Sequence, residues 1–171
     1  VGAAFALTAA ALIPAALASA LPQARVASAP CTSAQTQVWL GDGEGGGAAG
    51  HTYYPLEFSN IGHSSCTLDG YPGVSAESAT GSLVGKPAMR NSGGHGPVTL
   101  APGGTAHALI SIADWGAICS KAVDAAGLKV YPPSETRAQQ ISFPFQACAK
   151  QGVLVTGPVR AGVGIPGYTT S

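Results

Sequence analysis

Hydrophobic and polar residues alternate most regularly over Thr52–Asn60, where Tyr54, Leu56 and Phe58 fall on one face and Tyr53, Pro55, Glu57 and Ser59 on the other. Successive side chains of a pleated strand point to opposite faces, so a period of two predicts a β-strand with one face in a core. Pro55 brings no donor N–H and predicts an edge position or a bulge there. Thr105–Ile112 repeats the pattern, with Ala106, Ala108, Ile110 and Ile112 opposite Thr105, His107 and Ser111, just after the turn signal Ala101-Pro102-Gly103-Gly104. Shorter strands are predicted at Thr36–Leu40, Gly73–Glu77, Val98–Leu100, Leu128–Tyr131, Gln140–Phe145, Gly152–Thr156 and Val159–Gly162. About seven to nine strands at this spacing predict an all-β sandwich. Nearly every other apolar run is cut by Gly or Pro; Ala113–Ala126 escapes, and predicts a short helix or 3₁₀ turn that Gly127 ends and Cys119 ties to the sheet.

The N-terminal pattern is of another kind. Residues 1–20 are almost all Ala, Leu, Val, Ile and Phe and close on Ala18-Ser19-Ala20, which reads as a secretory signal peptide. The first positive charge is Arg25, so the basic segment expected ahead of the apolar run is missing, and either the start lies upstream of Val1 or Val1 is a misread initiation codon. A retained membrane anchor is the alternative, since a span needs about 20 apolar residues. Pro14 and the Ala-rich composition favour cleavage, at Ala20 or at the second small-residue run Ala27-Ser28-Ala29, and leave no membrane span afterwards. A lipoprotein box is not present, because Cys31 follows Ala29-Pro30. The expected organisation is therefore a signal over 1–20, a linker over 21–30, a β-sandwich over 31–162 and a tail over 163–171.

Composition narrows the chemistry. The chain has 171 residues, 8 Lys and Arg against 8 Asp and Glu, and only 9% charged residues. Nothing in it is basic enough to hold nucleic acid or an anionic membrane. The four cysteines Cys31, Cys66, Cys119 and Cys148 would meet an oxidising compartment after export, where an even count means disulfides. Of three possible pairings, Cys31 with Cys66 and Cys119 with Cys148 is favoured, because each pair brackets what reads as a hairpin. Zinc is the competing reading, but there is no Cys-x-x-Cys and His63-x-x-Cys66 is the only tight cluster.

Particular blocks then become recognisable. Cys31, the run Gly47-Ala48-Ala49-Gly50-His51-Thr52-Tyr53-Tyr54-Pro55-Leu56-Glu57-Phe58-Ser59-Asn60, and Cys66-Thr67-Leu68-Asp69-Gly70-Tyr71-Pro72-Gly73-Val74 resemble an actinobacterial secreted family catalogued as domain of unknown function 4232. Gly85-Lys86-Pro87-Ala88, Val98–Ala106, Cys119, Leu128–Pro133 and Cys148 agree with it, so the resemblance spans about Cys31–Gly162. It implies an exported protein with an immunoglobulin-like sandwich and supplies no catalytic residue. Trp39 lies only eight positions after Cys31, unlike the core tryptophan of an antibody domain. Gly70-Tyr71-Pro72-Gly73 reads as a turn whose tyrosine buries its ring and hydrogen-bonds the backbone.

His51, His63, His95 and His107 match no metal spacing and read as scattered, solvent-facing residues. Asp42-Gly43-Glu44 begins like a calcium loop, but its acids stop after two. There is no Gly-x-Ser-x-Gly elbow and no pair of acids framed by aromatics. No cofactor is expected. The preferred reading is a non-enzymatic, envelope-exposed module that contacts a cell-wall component or envelope protein through loops at one end. Those loops are Gly41–Thr52 and Lys86–Gly96, which hold His51, Met89, Arg90 and His95. A secreted metal-binding protein or hydrolase using the same loops is the alternative, and a spacer domain the third.

Overall fold

The computed structural model describes residues 2, 28–41 and 47–164; the signal reading, the Asp42–Gly46 loop and most of the expected linker and tail lie outside the described residues. In chain order the strands are β1 (Thr36–Leu40), β2 (Gly47–Ala48), β3 (His51–Asn60), β4 (Cys66–Leu68), β5 (Gly73–Glu77), β6 (Leu83–Val84), β7 (Met89–Arg90), β8 (Val98–Leu100), β9 (Thr105–Ala113), β10 (Ala122–Tyr131), β11 (Gln139–Cys148), β12 (Leu154–Thr156) and β13 (Arg160–Ala161). One 3₁₀ turn, Trp115–Ala117, separates β9 from β10. The larger sheet runs β1-β3-β9-β12-β7, with β2 added to β3 and β13 to β9; a second runs β11-β10-β5-β6, and β4 pairs with β8. Leu56, Phe58, Ala108 and Ile110 of the first sheet meet Val74, Ala76, Leu128 and Val130 of the second in one buried core, so the alternation read along β3 and β9 is the inner face of a sandwich.

Three details correct the reading of the sequence. Pro55 does not put β3 at an edge: β3 lies between β1 and β9. Its missing N–H falls where β1 runs out, since Leu40 pairs with Leu56 and the next contact is Gly41 N–H to Pro55 O at 2.8 Å. The stretch Ala113–Ala126 is helical only over Trp115–Ala117; from Ala122 it is strand, held by β11 along its length. Gly127 ends no helix. It sits inside β10 beside a bulge in which Phe143 and Pro144 of β11 oppose Ala126 alone, and a Cβ there would lie 2.2 Å from Ile141 O. Finally, His107 is not solvent-facing: it is 5% exposed, with Nδ1 2.9 Å from Gly162 O.

Polar groups finish the joints. Asn60 is fully buried, donates to Ser64 O (2.9 Å) and Leu100 O (3.0 Å) and accepts from Gly62 N–H (2.9 Å), so its amide fixes the turn leaving β3 against β8. Disulfides join Cys31 to Cys66 and Cys119 to Cys148, and no cysteine is free among the described residues. Two such bridges are consistent with an oxidising, non-cytoplasmic compartment, where disulfides form and persist. Among the described residues, no helix is long and apolar enough to cross a membrane.

Candidate functional site

β11 is the edge of its sheet, and the sandwich closes along it unevenly. At one end the Gln139 side chain laces the two sheets together: its Oε1 accepts from Val38 N–H at 3.0 Å and its Nε2 donates to Thr36 O. Toward the other end the inward residues Phe143 and Phe145 are only half-buried, because β1 has stopped and no strand among the described residues covers them. A cleft of about 710 Å³ opens there between β11, the first residues of β3 and the turn after β9.

Its walls are aromatic. Tyr54 meets Phe143 edge to face with centroids 4.9 Å apart, Phe143 lies 5.7 Å from Phe145, and Trp115 contributes from the 3₁₀ turn. That turn forms because the Asp114 carboxylate accepts from Gly116 N–H at 3.0 Å, capping it, while Asp114 N–H donates to Gly50 O at 2.7 Å. The β2–β3 turn on the far side of that bond has both central residues at positive φ, Ala49 at 51° and Gly50 at 79°, as a two-residue hairpin turn requires. Cys119 N–H donates to Trp115 O at 2.8 Å, and the Cys119–Cys148 bridge then fastens Trp115 to the end of β11.

Polar atoms line the rim. His51 Nδ1 lies 2.9 Å from Ser111 Oγ, and Gln146 Nε2 donates to Asp124 Oδ1. The second nitrogen of His51, the second oxygen of Asp114 and the amide oxygen of Gln146 have no partner among the described residues. The lining is about equally polar and apolar, so ring surfaces and unfilled polar atoms share one opening, as a ligand site for an amphipathic molecule requires.

The other residues singled out in the sequence gather elsewhere. Arg90 lies over the Tyr71 ring, 5.6 Å from its centroid, and His95 stands edge-on to the same ring at 5.8 Å while its Nδ1 meets Asp69 Oδ1 at 2.8 Å. Tyr71 donates its hydroxyl to the Asn91 and Gly93 carbonyls. This is a clasp between the Gly-Tyr-Pro-Gly turn and the Lys86–Gly96 loop, further tied by Arg160 Nη2 to Gly94 O at 2.6 Å. Met89, 64% exposed, belongs to β7, whereas His51 is on β3, three strands away and about 14 Å across the ladder. The four loop residues therefore do not form one site. His63 is exposed, and no three His, Cys, Asp or Glu side chains gather as metal ligands among the described residues.

Two carboxylates are perturbed, both away from the cleft. Burial raises the pKa of Glu57 against the lowering effects of Gly164 N–H and of His107, its cross-strand neighbour. Glu135 is lowered, first by the Ser33 hydroxyl and then by Ser33 N–H, which lie 2.5 and 2.9 Å from Oε2. Trp115, Phe143, Phe145, Asp114 and Gln146 were not marked by the sequence reading. The signal for the middle of that set was two phenylalanines on one face of a strand that Pro144 marks as an edge.

The family model described as Domain of unknown function (DUF4232) matches residues 31–161. No curated protein and no solved structure matches the chain.

Proposed function

The chain belongs to the DUF4232 family, and on that premise we propose that it is an exported, non-enzymatic module that holds a glycan of the cell envelope in the aromatic cleft. The observation that carries this reading is the pairing of half-buried ring faces with unfilled polar atoms at one opening. A pyranose presents C–H groups on its faces, which stack on the electron-rich face of an aromatic ring, and hydroxyls on its rim, which need donors and acceptors beside that ring. Trp115, Phe143 and Phe145 supply the first, and His51, Asp114 and Gln146 the second. The two disulfides and the apolar segment at residues 1–20 support export, and the Ala- and Gly-rich, Lys-poor composition supports an actinobacterial source. A neutral chain with 9% charged residues fits a neutral ligand better than a charged polymer.

Co-sedimentation of the oxidised domain with isolated cell walls across a salt series tests the proposal. Pelleting that resists salt, and that weakens about tenfold in Trp115→Ala and Phe143→Ala, is the expected result. A domain that stays in the supernatant at every salt, or that pellets equally well with both rings removed, sinks it.

A further inference from the structure

A second cavity, of about 360 Å³, lies away from the cleft, between the sheet strands β5 and β10 and the segment that follows β5. Ser75, Glu77, Lys129 and Tyr131 line it from the strands, and Gly81, Leu83 and Pro87 from the hairpin and loop beside them. Glu77 is only 7% exposed, and its buried Oε2 has no hydrogen-bond partner. A carboxylate oxygen kept from water without a donor is costly, and native structures tolerate few such groups without a reason.

The cation on the same wall is Lys129. Glu77 pairs with Gly127 and Ser75 with Lys129, so Glu77 and Lys129 are diagonal neighbours on one face, a relation that spans about 7 to 8 Å. No ion pair joins them; the Lys129 ammonium instead stands 6.0 Å from the Tyr131 ring centroid. The walls are held where they are. Gly85 (φ 68°) runs so close to the backbone that a Cβ would lie 2.4 Å from Gln151 O and 2.7 Å from Cys148 O, and Ala88 N–H donates to Val74 O at 2.8 Å. The cavity is thus a recess that Glu77 and Lys129 line together without pairing with one another.

We propose that this recess binds a small zwitterion of the α-amino-acid class, with its ammonium on Glu77, its carboxylate on Lys129 and an aliphatic side chain against Leu83 and Pro87. A simple cation would be repelled by Lys129 and a simple anion by Glu77, whereas adjacent opposite charges on one small molecule bridge the gap between them. The site is independent of the glycan cleft and stands or falls without it.

Titration of the intact, ¹⁵N-labelled disulfide-bonded protein with leucine, leucinamide and N-acetylleucine tests this by amide shifts. Leucine should move the resonances of Ser75, Glu77, Leu83 and Lys129 with a Kd near about 1 mM, and each blocked derivative should bind at least about tenfold more weakly. Glu77→Gln should erase the preference over N-acetylleucine. Lys129→Met, at a half-exposed position that leaves the fold intact, should erase the preference over leucinamide. No shift with leucine up to about 20 mM, equal binding of either derivative, or shifts confined to the aromatic cleft would each overturn the proposal.

Discussion

The two ends of β11 belong to one strand and face the same partner sheet, yet one is sewn shut and the other left open. At Gln139 a single side-chain amide spans the sheets and satisfies backbone groups of β1; from Phe143 on, at and beyond the bulge it forms with Pro144, aromatic rings face a cleft that no strand among the described residues fills. The open end is not a frayed one. It is braced by the Cys119–Cys148 bridge and by the bond from Asp114 N–H to Gly50 O. The contrast teaches that an exposed apolar surface can be a product of rigid construction, with the closing contacts placed beside it.

The largest test of this comparison strikes the point between the two ends. Gly127→Ala puts a methyl group against a carbonyl that the bulge holds in place, so a loss of more than about 3 kcal/mol is expected in urea unfolding, with both ends disordered. A loss under about 1 kcal/mol would mean that the bulge relaxes and is not what separates them. Replacing Cys119 and Cys148 together with serine should cost about 3 to 4 kcal/mol for a loop of sequence separation 29. Hydrogen exchange should quicken around Trp115 while the Gln139 end stays protected; uniform quickening would deny the two ends their separate bracing. Gln139→Ala reverses the experiment, leaving Val38 N–H without its acceptor for a cost of about 1 to 3 kcal/mol while ligand capture at the cleft survives.

The smallest effect is on pH. Glu57 has a native pKa raised above 4.5 by burial, so the native state binds its proton more tightly than the unfolded chain does. The stability this contributes is complete below 4.5 and is lost as pH rises through the raised value. Glu135 has the opposite sign: its contribution is present above 4.5 and is lost as pH falls through its lowered value. Thermal unfolding of Glu57→Gln should therefore show a weaker decline toward neutral pH than the native chain. An unchanged profile would show that the burial of Glu57 is not felt. Neither group lines the cleft, so ligand capture should not follow either titration.

How much of this could be read in the sequence depends on where each signal lies. β3 and β9 are legible because Leu56, Phe58, Ala106, Ala108 and Ile110 keep a strict period of two and all reach the core. The first half of β10 is not, since Ala122–Gly127 is small and Ala-rich, and only its pairing with β11 decides for strand. β2, β6, β7 and β13 have two residues each, too short for any periodicity. The disulfide pairing followed from hairpins that were themselves legible. His107 was placed correctly on the outward face, but its burial depends on Gly162, fifty-five residues on, and no local pattern carries that. The cleft fails for the same reason: His51 was marked, but Tyr54 read as ordinary core, and its meeting with Phe143 and Trp115 exists only once β3, β9 and β11 have assembled.

Pro144 has one more consequence, for the protein in company with its own copies. β11 is a ten-residue edge strand, and such an edge can template strand-to-strand association between molecules. A chain with zero formal net charge has little mutual repulsion to prevent this. By offering no N–H in the middle of that edge and sitting in a bulge, Pro144 interrupts the ladder a second copy would need. The same residue that lines the cleft thus interrupts the edge on which such association would start.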